Sequence, residues 1–258
     1  MKVGLKKVIE TQKAMGWDKV AIPQVPSTLL GSYSISPYDV TKLYQTIANQ
    51  GSKIPLSTID SITDQKGNLL YQREYQAEQV VPAEAAYQTI YAMQQVVERG
   101  TGRSLQSHFA DLHLAGKTGT TNDARDTWFV GIDGDNVTTV WLGRADNGDT
   151  KLTGATGALQ IYQDYLQRAN PVPLKPTKPE QIKWVGINSY GGWDCSNWRT
   201  IPVWADKNQS FCQAAPAPVA SAQPATNSVN STNKAAESVW DVLNEKSNAP
   251  IEEAKPTR

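Results

Sequence analysis

One short stretch combines a lysine, two threonines and two glycines, GKTGT at residues 116–120. Two kinds of chemistry use these residue types. A nucleotide-binding loop holds phosphates with backbone N–H groups, a lysine and a hydroxyl. A strand at the edge of a sheet instead pairs its backbone with an extended peptide, while a lysine and hydroxyls hold the carboxylate of that peptide. The two interpretations predict different neighbouring residues.

The surroundings exclude the nucleotide-binding loop. That loop requires a glycine five residues before the Gly-Lys pair and a helix directly after it, but Asp111 occupies the position of the glycine. A short polar link and a β-hairpin are predicted after Lys117, so no helix N-terminus is available to hold phosphates. A peptide-binding strand is the interpretation that remains.

On the predicted strand, Lys117 supplies positive charge beside the hydroxyls of Thr118 and Thr120. Gly119 leaves room for another backbone to approach closely. Because side chains alternate along an ideal strand, Lys117 and Gly119 face the side opposite to the two threonines. Twist or a bulge at a sheet edge reduces that separation, so all four residues are candidates for one groove.

Two strands that could position this stretch follow it directly. Residues 126–134 and 136–146, DTWFVGIDG and NVTTVWLGRAD, flank a strong hairpin signal at residues 133–136. Both strands carry apolar residues on both faces. We therefore expect a sheet that is covered on both sides, with Trp128 in the core.

Four segments have the apolar spacing and end signals of helices. They are the opening segment up to Gly16, residues 36–51 with Ser36 as N-cap, residues 82–100, and residues 155–168. Residues 57–72 predict a further pair of strands around a turn at 66–68. Together these elements predict an α+β fold in which helices flank an antiparallel sheet.

The composition changes twice towards the C-terminus. We expect a domain at residues 1–170, a small β-type extension at 171–212 that is rich in Pro, Trp and Gly, and a disordered low-complexity tail at 213–258. Cys195 and Cys212 both lie in the extension. They could be two separate thiols, but we predict that they form a disulfide in an oxidising compartment. The companion Cys and His residues of a zinc site are missing nearby.

The bulk composition excludes some functions. Lys and Arg total 25, as do Asp and Glu, so nucleic acid is not expected as a partner. No apolar run approaches the about 20 residues that cross a bilayer, and the opening lacks the pattern of a signal peptide. His108 and His113 are expected to be surface or packing residues, and neither a metal nor a cofactor is expected. Taken alone, these features predict a soluble cytoplasmic protein.

Several segments, in order along the chain, resemble the class A penicillin-binding proteins, the bifunctional peptidoglycan synthases. They are STLLGSYSISPYDVTKLYQTIANQG, VVERGTGR, LHLAGKTGTTNDARDTWFVGIDG, VTTVWLGRADNG and GATGAL. The segment DCSNWRTIPVWADKNQSFC is similar to the C-terminal extension of one type within that family. The resemblance covers residues 1–212. It implies the α+β fold shared by DD-transpeptidases and serine β-lactamases, of which this chain holds an incomplete part.

The resemblance also implies roles for the GKTGT residues. In that family a serine in a Ser-x-x-Lys motif attacks the D-Ala-D-Ala bond of a stem peptide, or a β-lactam, and the acyl group passes to an amine. By resemblance, Lys117 and Thr120 are catalytic, because Lys117 sets the field and proton transfer and the Thr120 amide forms half of the oxyanion hole. One such donor typically contributes about 3 kcal/mol of transition-state stabilisation. By the same resemblance, Thr118 and Thr120 bind the terminal carboxylate, and Gly119 is a further substrate-binding residue.

The chain departs from the family pattern, because no Ser-x-x-Lys or Ser-x-Asn motif precedes Lys117. Residues 231–234 and 228–230 match these motifs but lie in the predicted tail, without the rigid setting that a nucleophile needs. We therefore expect a C-terminal portion of a longer protein in which Met1 is an internal methionine. Alone, this portion should not be acylated.

Three functions are consistent with these features: part of a DD-transpeptidase, a non-catalytic orphan fragment or interaction module, and part of a β-lactamase-type hydrolase. The family resemblance implies a location at the periplasmic face of the inner membrane, in conflict with the cytoplasmic expectation. It implies stem peptides and β-lactams as ligands and the missing N-terminal part, including a glycosyltransferase, as a partner. An outer-membrane lipoprotein activator and divisome or elongasome proteins are further implied partners.

Overall fold

The computed structural model describes residues 3–17, 21–196, 199–206 and 209–211. Its helices are α1 Leu5–Ala14, α2 Pro37–Ala48, α3 Ala83–Arg99, α4 Gln106–Phe109 and α5 Ala158–Leu166. Its strands are β1 Ser52–Lys53, β2 Ser61–Thr63, β3 Leu69–Gln72, β4 Glu78–Gln79, β5 Ala115–Thr120, β6 Asp126–Ile132, β7 Val137–Gly143, β8 Ile182–Gly186 and β9 Thr200–Trp204. Within these residues, no helix is long and apolar enough to span a bilayer. The predicted tail lies outside the described residues.

A three-stranded antiparallel sheet in the order β5, β6, β7 carries the GKTGT stretch. The predicted hairpin between β6 and β7 is confirmed. At its turn, the carboxylate of Asp133 accepts hydrogen bonds from the N–H groups of Asp135 and Asn136, at 2.8 and 2.9 Å. These bonds allow an acidic side chain to be buried in the turn, because a buried charge needs such partners.

Both faces of the sheet are covered, as the apolar pattern predicts. The core on the α5 side consists of Val97, Leu105, Leu114, Phe129, Ala158, Leu159, Tyr162 and Leu166. The core on the α2 and α3 side consists of Ile90, Met93, Ala115, Ile132 and Leu174, with Tyr44, Ile47, Ala48 and Val137 packed against it. The sheet is therefore the middle of three layers, and the order of layers agrees with the predicted α+β fold.

Helix α2 begins where its sequence predicts. Ser36 is the N-cap, and its hydroxyl oxygen accepts a hydrogen bond from the N–H of Asp39 at 3.1 Å. Pro37 occupies the first helical position, where its missing N–H has no cost. Thr41 then connects the helix to the sheet, through a 2.8 Å hydrogen bond to the hydroxyl of Thr139 on β7. This contact fixes α2 against the face that carries Lys117.

The other predicted elements agree with the structure apart from their ends. Helix α3 follows Pro82 and ends before Gly100, as expected. The two strands expected within residues 57–72 are β2 and β3. Helix α5 is shorter than residues 155–168, because residues 154–157 form a turn before it.

Strands β8 and β9 form an antiparallel hairpin within the predicted extension. The hairpin is attached to α3 through polar and aromatic contacts. The amide of Gln88 donates to the Pro202 carbonyl at 3.0 Å, and the hydroxyl of Tyr91 donates to the Thr200 carbonyl at 3.2 Å. The ring of Tyr91 also packs edge-on against Trp184, with centroids 5.3 Å apart. Helix α3 thus contacts both the extension and the sheet.

Candidate active-site cleft

An open cleft of about 530 Å³ lies between the sheet and the segment that leads into α2. One wall consists of residues 117–121 with Asp126, Trp128 and Trp141, and the facing wall includes Tyr33, Ile35, Val40 and Tyr44. Trp128 was expected in the core, and that prediction is wrong. Its side chain is half-buried at the cleft, because Gly119, directly opposite on β5, has no side chain to cover it.

Strand β5 has the geometry of a peptide-binding edge. It is the outer strand of its sheet, so its outer edge pairs with no other strand among the described residues. Such an edge can pair with an extended peptide. Lys117 is exposed on this strand, and its ammonium donates to the Thr118 carbonyl at 2.8 Å. The positive charge therefore stays close to the strand and borders the cleft.

Thr118 faces away from Lys117 and contacts the turn that follows α3. Its hydroxyl oxygen lies 2.7 Å from that of Thr101. Thr101 stands between Gly100 and Gly102, whose N–H groups both donate to the Val96 carbonyl and so cap α3. The Gly-Thr-Gly turn is thus a helix cap. It also holds Thr118, a contact that the sequence analysis did not predict.

Thr120 contacts the segment between β7 and α5. Its hydroxyl oxygen accepts a hydrogen bond from the N–H of Gly154 at 2.9 Å. The sequence predicts that another backbone segment approaches Gly119 closely, and the backbone at Gly154 does so. A Cβ on Gly154 would lie 2.6 Å from the Gly119 carbonyl oxygen. The glycine that permits this approach is therefore Gly154 rather than Gly119.

Two tyrosines on the facing wall keep their protons at neutral pH. Burial raises the pKa of the Tyr44 hydroxyl, and the neighbouring Tyr33 raises it further. Burial also raises the pKa of Tyr33, although the hydrogen bond from Gln12 partly opposes this shift. Both hydroxyls therefore remain neutral donors. Lys117 and Asp126 supply the amine and the carboxyl group among the residues that line this cleft.

Asp126 and Trp141 are cleft residues that the sequence analysis did not assign to the site. The signal was present in the strand pattern. Lys117 pairs with Val130 and Gly119 with Trp128, so even-numbered residues of β6 share the face of Lys117. The same rule, applied across the next pair of strands, places Trp141 beside Trp128.

The two histidines and Cys195, the cysteine that the structure describes, do not line this cleft. His108 and His113 are exposed, and neither borders it. The ring of His108 is hydrogen bonded to the adjacent Ser107 hydroxyl at 2.7 Å, on the surface of α4. Cys195 follows β8, whereas Cys212 lies outside the described residues. The predicted disulfide between them therefore stays a prediction.

Comparisons with known proteins are consistent with this geometry. The family described as "Penicillin binding protein transpeptidase domain" matches residues 11–164, and "Penicillin-binding protein 1B, C-terminal domain" matches residues 181–216. Penicillin-binding protein 1B of Haemophilus influenzae is 65% identical over 94% of this chain, and that of Escherichia coli is 49% identical over 83% of it. The chain spans only 30% and 25% of the length of these two relatives.

A solved structure shows the same fold. The crystal structure of penicillin-binding protein 1A from Haemophilus influenzae superposes with a TM-score of 0.70 at 20% sequence identity. The superposition covers 78% of this chain and 37% of that one. At this identity the likeness supports the predicted fold and no more.

Proposed function

Because the chain belongs to the penicillin-binding protein transpeptidase family and matches its 1B type, we propose that it forms the Lys-Thr-Gly part of a peptidoglycan DD-transpeptidase site. In the proposed reaction, a serine displaces the terminal D-Ala of a stem peptide, and the resulting acyl group passes to an amine. The observation that carries the proposal is the outer edge of β5, which pairs with no other strand among the described residues, with Lys117 beside it in the cleft.

The hydrogen bonds around the two threonines suit them to bind a carboxylate. A hydroxyl has one proton to donate and two lone pairs that accept. The oxygen of Thr120 accepts from Gly154, so its own proton can be donated to a ligand. Thr118 shares a bond with Thr101 in which either oxygen can donate. When Thr101 donates, Thr118 also has a proton for the ligand, and Lys117 adds the opposite charge.

The nucleophile is proposed to come from residues outside this sequence. No Ser-x-x-Lys or Ser-x-Asn motif precedes Lys117, and the matches within residues 228–234 follow the extension. We therefore propose that the chain alone is not acylated by a β-lactam. For the whole protein, we propose action at the periplasmic face of the inner membrane, together with a glycosyltransferase domain, a lipoprotein activator and divisome or elongasome proteins.

A fluorescent penicillin tests this proposal. The chain alone should acquire no covalent label. A chimera in which this chain replaces the matching part of the Haemophilus influenzae 1B relative should be labelled. Labelling should be lost in Lys117→Ala and kept in Lys66→Ala, which removes a lysine from the turn between β2 and β3. Covalent labelling of the chain alone, or equal labelling of the two lysine variants, would contradict the proposal.

A further inference from the structure

A carboxylate and two indole rings meet at one end of the cleft, on the face of the sheet that carries Lys117. Asp126, Trp128 and Trp141 all border the cleft. Trp128 and Trp141 are directly opposite each other on β6 and β7, with ring centroids 6.2 Å apart and a tilt of 49°. Trp141 borders the cleft and remains 44% exposed.

Hydrogen bonds hold the carboxylate of Asp126 in place. One of its oxygens accepts from the indole N–H of Trp141 at 3.0 Å, and the other accepts from the hydroxyl of Thr121 at 3.0 Å. The N–H of Asp126 donates in turn to the Thr121 oxygen at 2.8 Å. The adjacent cation, Arg125, pairs with Asp123 at 3.2 Å instead. No ion pair joins Asp126 to a lysine or arginine within the described part of the chain.

This combination of groups attracts a cation. The face of an indole ring is the most favourable aromatic partner for an ammonium group, through the negative charge of its π system. A fixed carboxylate beside two such rings adds full charge attraction. Each Asp126 oxygen already accepts one hydrogen bond and keeps a further lone pair. A compact ammonium, with three rotatable donors, can use the lone pairs that remain.

We propose that Asp126, Trp128 and Trp141 form a binding site for the primary ammonium group of a peptide that lies in the cleft. Resting on the proposed function, this site favours peptides that carry an ammonium in addition to the terminal carboxylate. Thr120 pairs with Thr127, so Asp126 lies beside the position of Thr121, four residue steps from Lys117. At about 3.3 Å per step, the backbone positions of Lys117 and Asp126 are on the order of 13 Å apart along the strand.

A titration of the full chain tests the ammonium site directly. The probe is N-acetyl-L-lysine methylamide, and its uncharged counterpart is N-acetyl-L-norleucine methylamide. The readout is the indole N–H signal of Trp141 in a ¹H–¹⁵N spectrum, because that proton is bonded to Asp126. The lysine compound should shift this signal with saturation, whereas the norleucine compound should not. Asp126→Asn should weaken lysine binding at least about tenfold, as expected for a lost charge-assisted bond.

Two controls keep the result interpretable. Asp123→Asn removes an exposed carboxylate three residues away and should leave lysine binding unchanged. Raising the salt to about 1 M shortens the Debye length to about 3 Å, so lysine binding to the unmodified chain should weaken. This control does not depend on the folding of any variant. Equal shifts with lysine and norleucine, or lysine binding unaffected by Asp126→Asn and by salt, would overturn the site. Because neither probe has a terminal carboxylate, that outcome would leave the proposed transpeptidase function standing.

Discussion

Two glycines near Thr120 have different neighbours, although they lie against each other. A Cβ on Gly154 would meet backbone atoms, the carbonyl oxygens of Gly119 and Trp128 at 2.6 and 2.7 Å. The nearest atom to a Cβ on Gly119 would be the Cβ of Trp128, at 3.2 Å. Since the backbone of a paired strand cannot move aside, the contact between β5 and the segment before α5 depends on Gly154.

The variant Gly154→Ala should therefore lower the free energy of unfolding by about 1–3 kcal/mol, the usual cost of overpacking. Gly119→Ala is the matched control and should change it by less than about 1 kcal/mol, because alanine is favoured over glycine within a strand. Urea unfolding of the two variants measures the difference. Equal losses of stability would show that the close backbone contact is not the cause.

Burial of the Tyr162 hydroxyl makes the stability of the fold depend on pH. Burial raises the pKa of its hydroxyl above the ordinary value of 10.0, with Asp133 and Tyr165 contributing further. Its oxygen has no hydrogen-bond partner among the described residues. Above pH 10 the unfolded chain releases this proton while the folded chain keeps it. The unfolded state then binds fewer protons, so stability falls as the pH rises.

The variant Tyr162→Phe should consequently lose less stability between about pH 9 and pH 11 than the unmodified chain does. At pH 7 its free energy of unfolding should change by no more than about 1 kcal/mol, because the hydroxyl forms no bond with a described residue. Tyr190→Phe, at a side chain that is 97% exposed, is the control. Denaturant midpoints measured across this pH range are the readout. If the midpoints of all three proteins fell equally, the assignment of the pH dependence to Tyr162 would be refuted.

At the scale of elements, α2 forms one wall of the cleft and depends on its first residues. Replacing Ser36 with alanine removes the acceptor for the N–H of Asp39. We expect a loss of about 1 kcal/mol in the free energy of unfolding, with faster amide exchange in the first turn of α2. Ser34→Ala, at an exposed position just before the helix, should have a much smaller effect. Similar losses in the two variants would argue against the capping role.

Local sequence signals predicted the helices and strands. The features of the cleft that the sequence did not predict depend on contacts between residues that are far apart in the chain. Ser36, Pro37 and the turn at residues 133–136 act on their immediate neighbours, so their effects can be read from the sequence. The bond between Thr101 and Thr118 joins residues 17 positions apart, and Thr120 and Gly154 are 34 apart. The exposure of Trp128 depends on the glycine opposite it on another strand. Such pairings require the register of the sheet, which spacing alone does not provide.

At the scale of the whole molecule, a chain of contacts runs from the extension to the cleft. The hairpin of β8 and β9 is bound to α3 through Gln88 and Tyr91. Helix α3 ends in the turn whose Thr101 contacts Thr118 on β5. The predicted boundary at residue 170 falls between α5 and β8, and it remains a prediction. The extension thus supports the helix whose C-terminal turn contacts β5.

Strand β5 should bind the terminal carboxylate of a D-Ala-D-Ala peptide, and the backbone amide signals of residues 117–121 report this most directly. The ligand is a Lys-D-Ala-D-Ala peptide with both amines acetylated, so that it carries no ammonium. Its free acid should shift these signals with saturation, and its C-terminal amide should bind at least about tenfold more weakly, since a charge-assisted bond is lost. Equal affinity for acid and amide, or shifts confined to residues outside 117–121, would contradict a carboxylate site on β5.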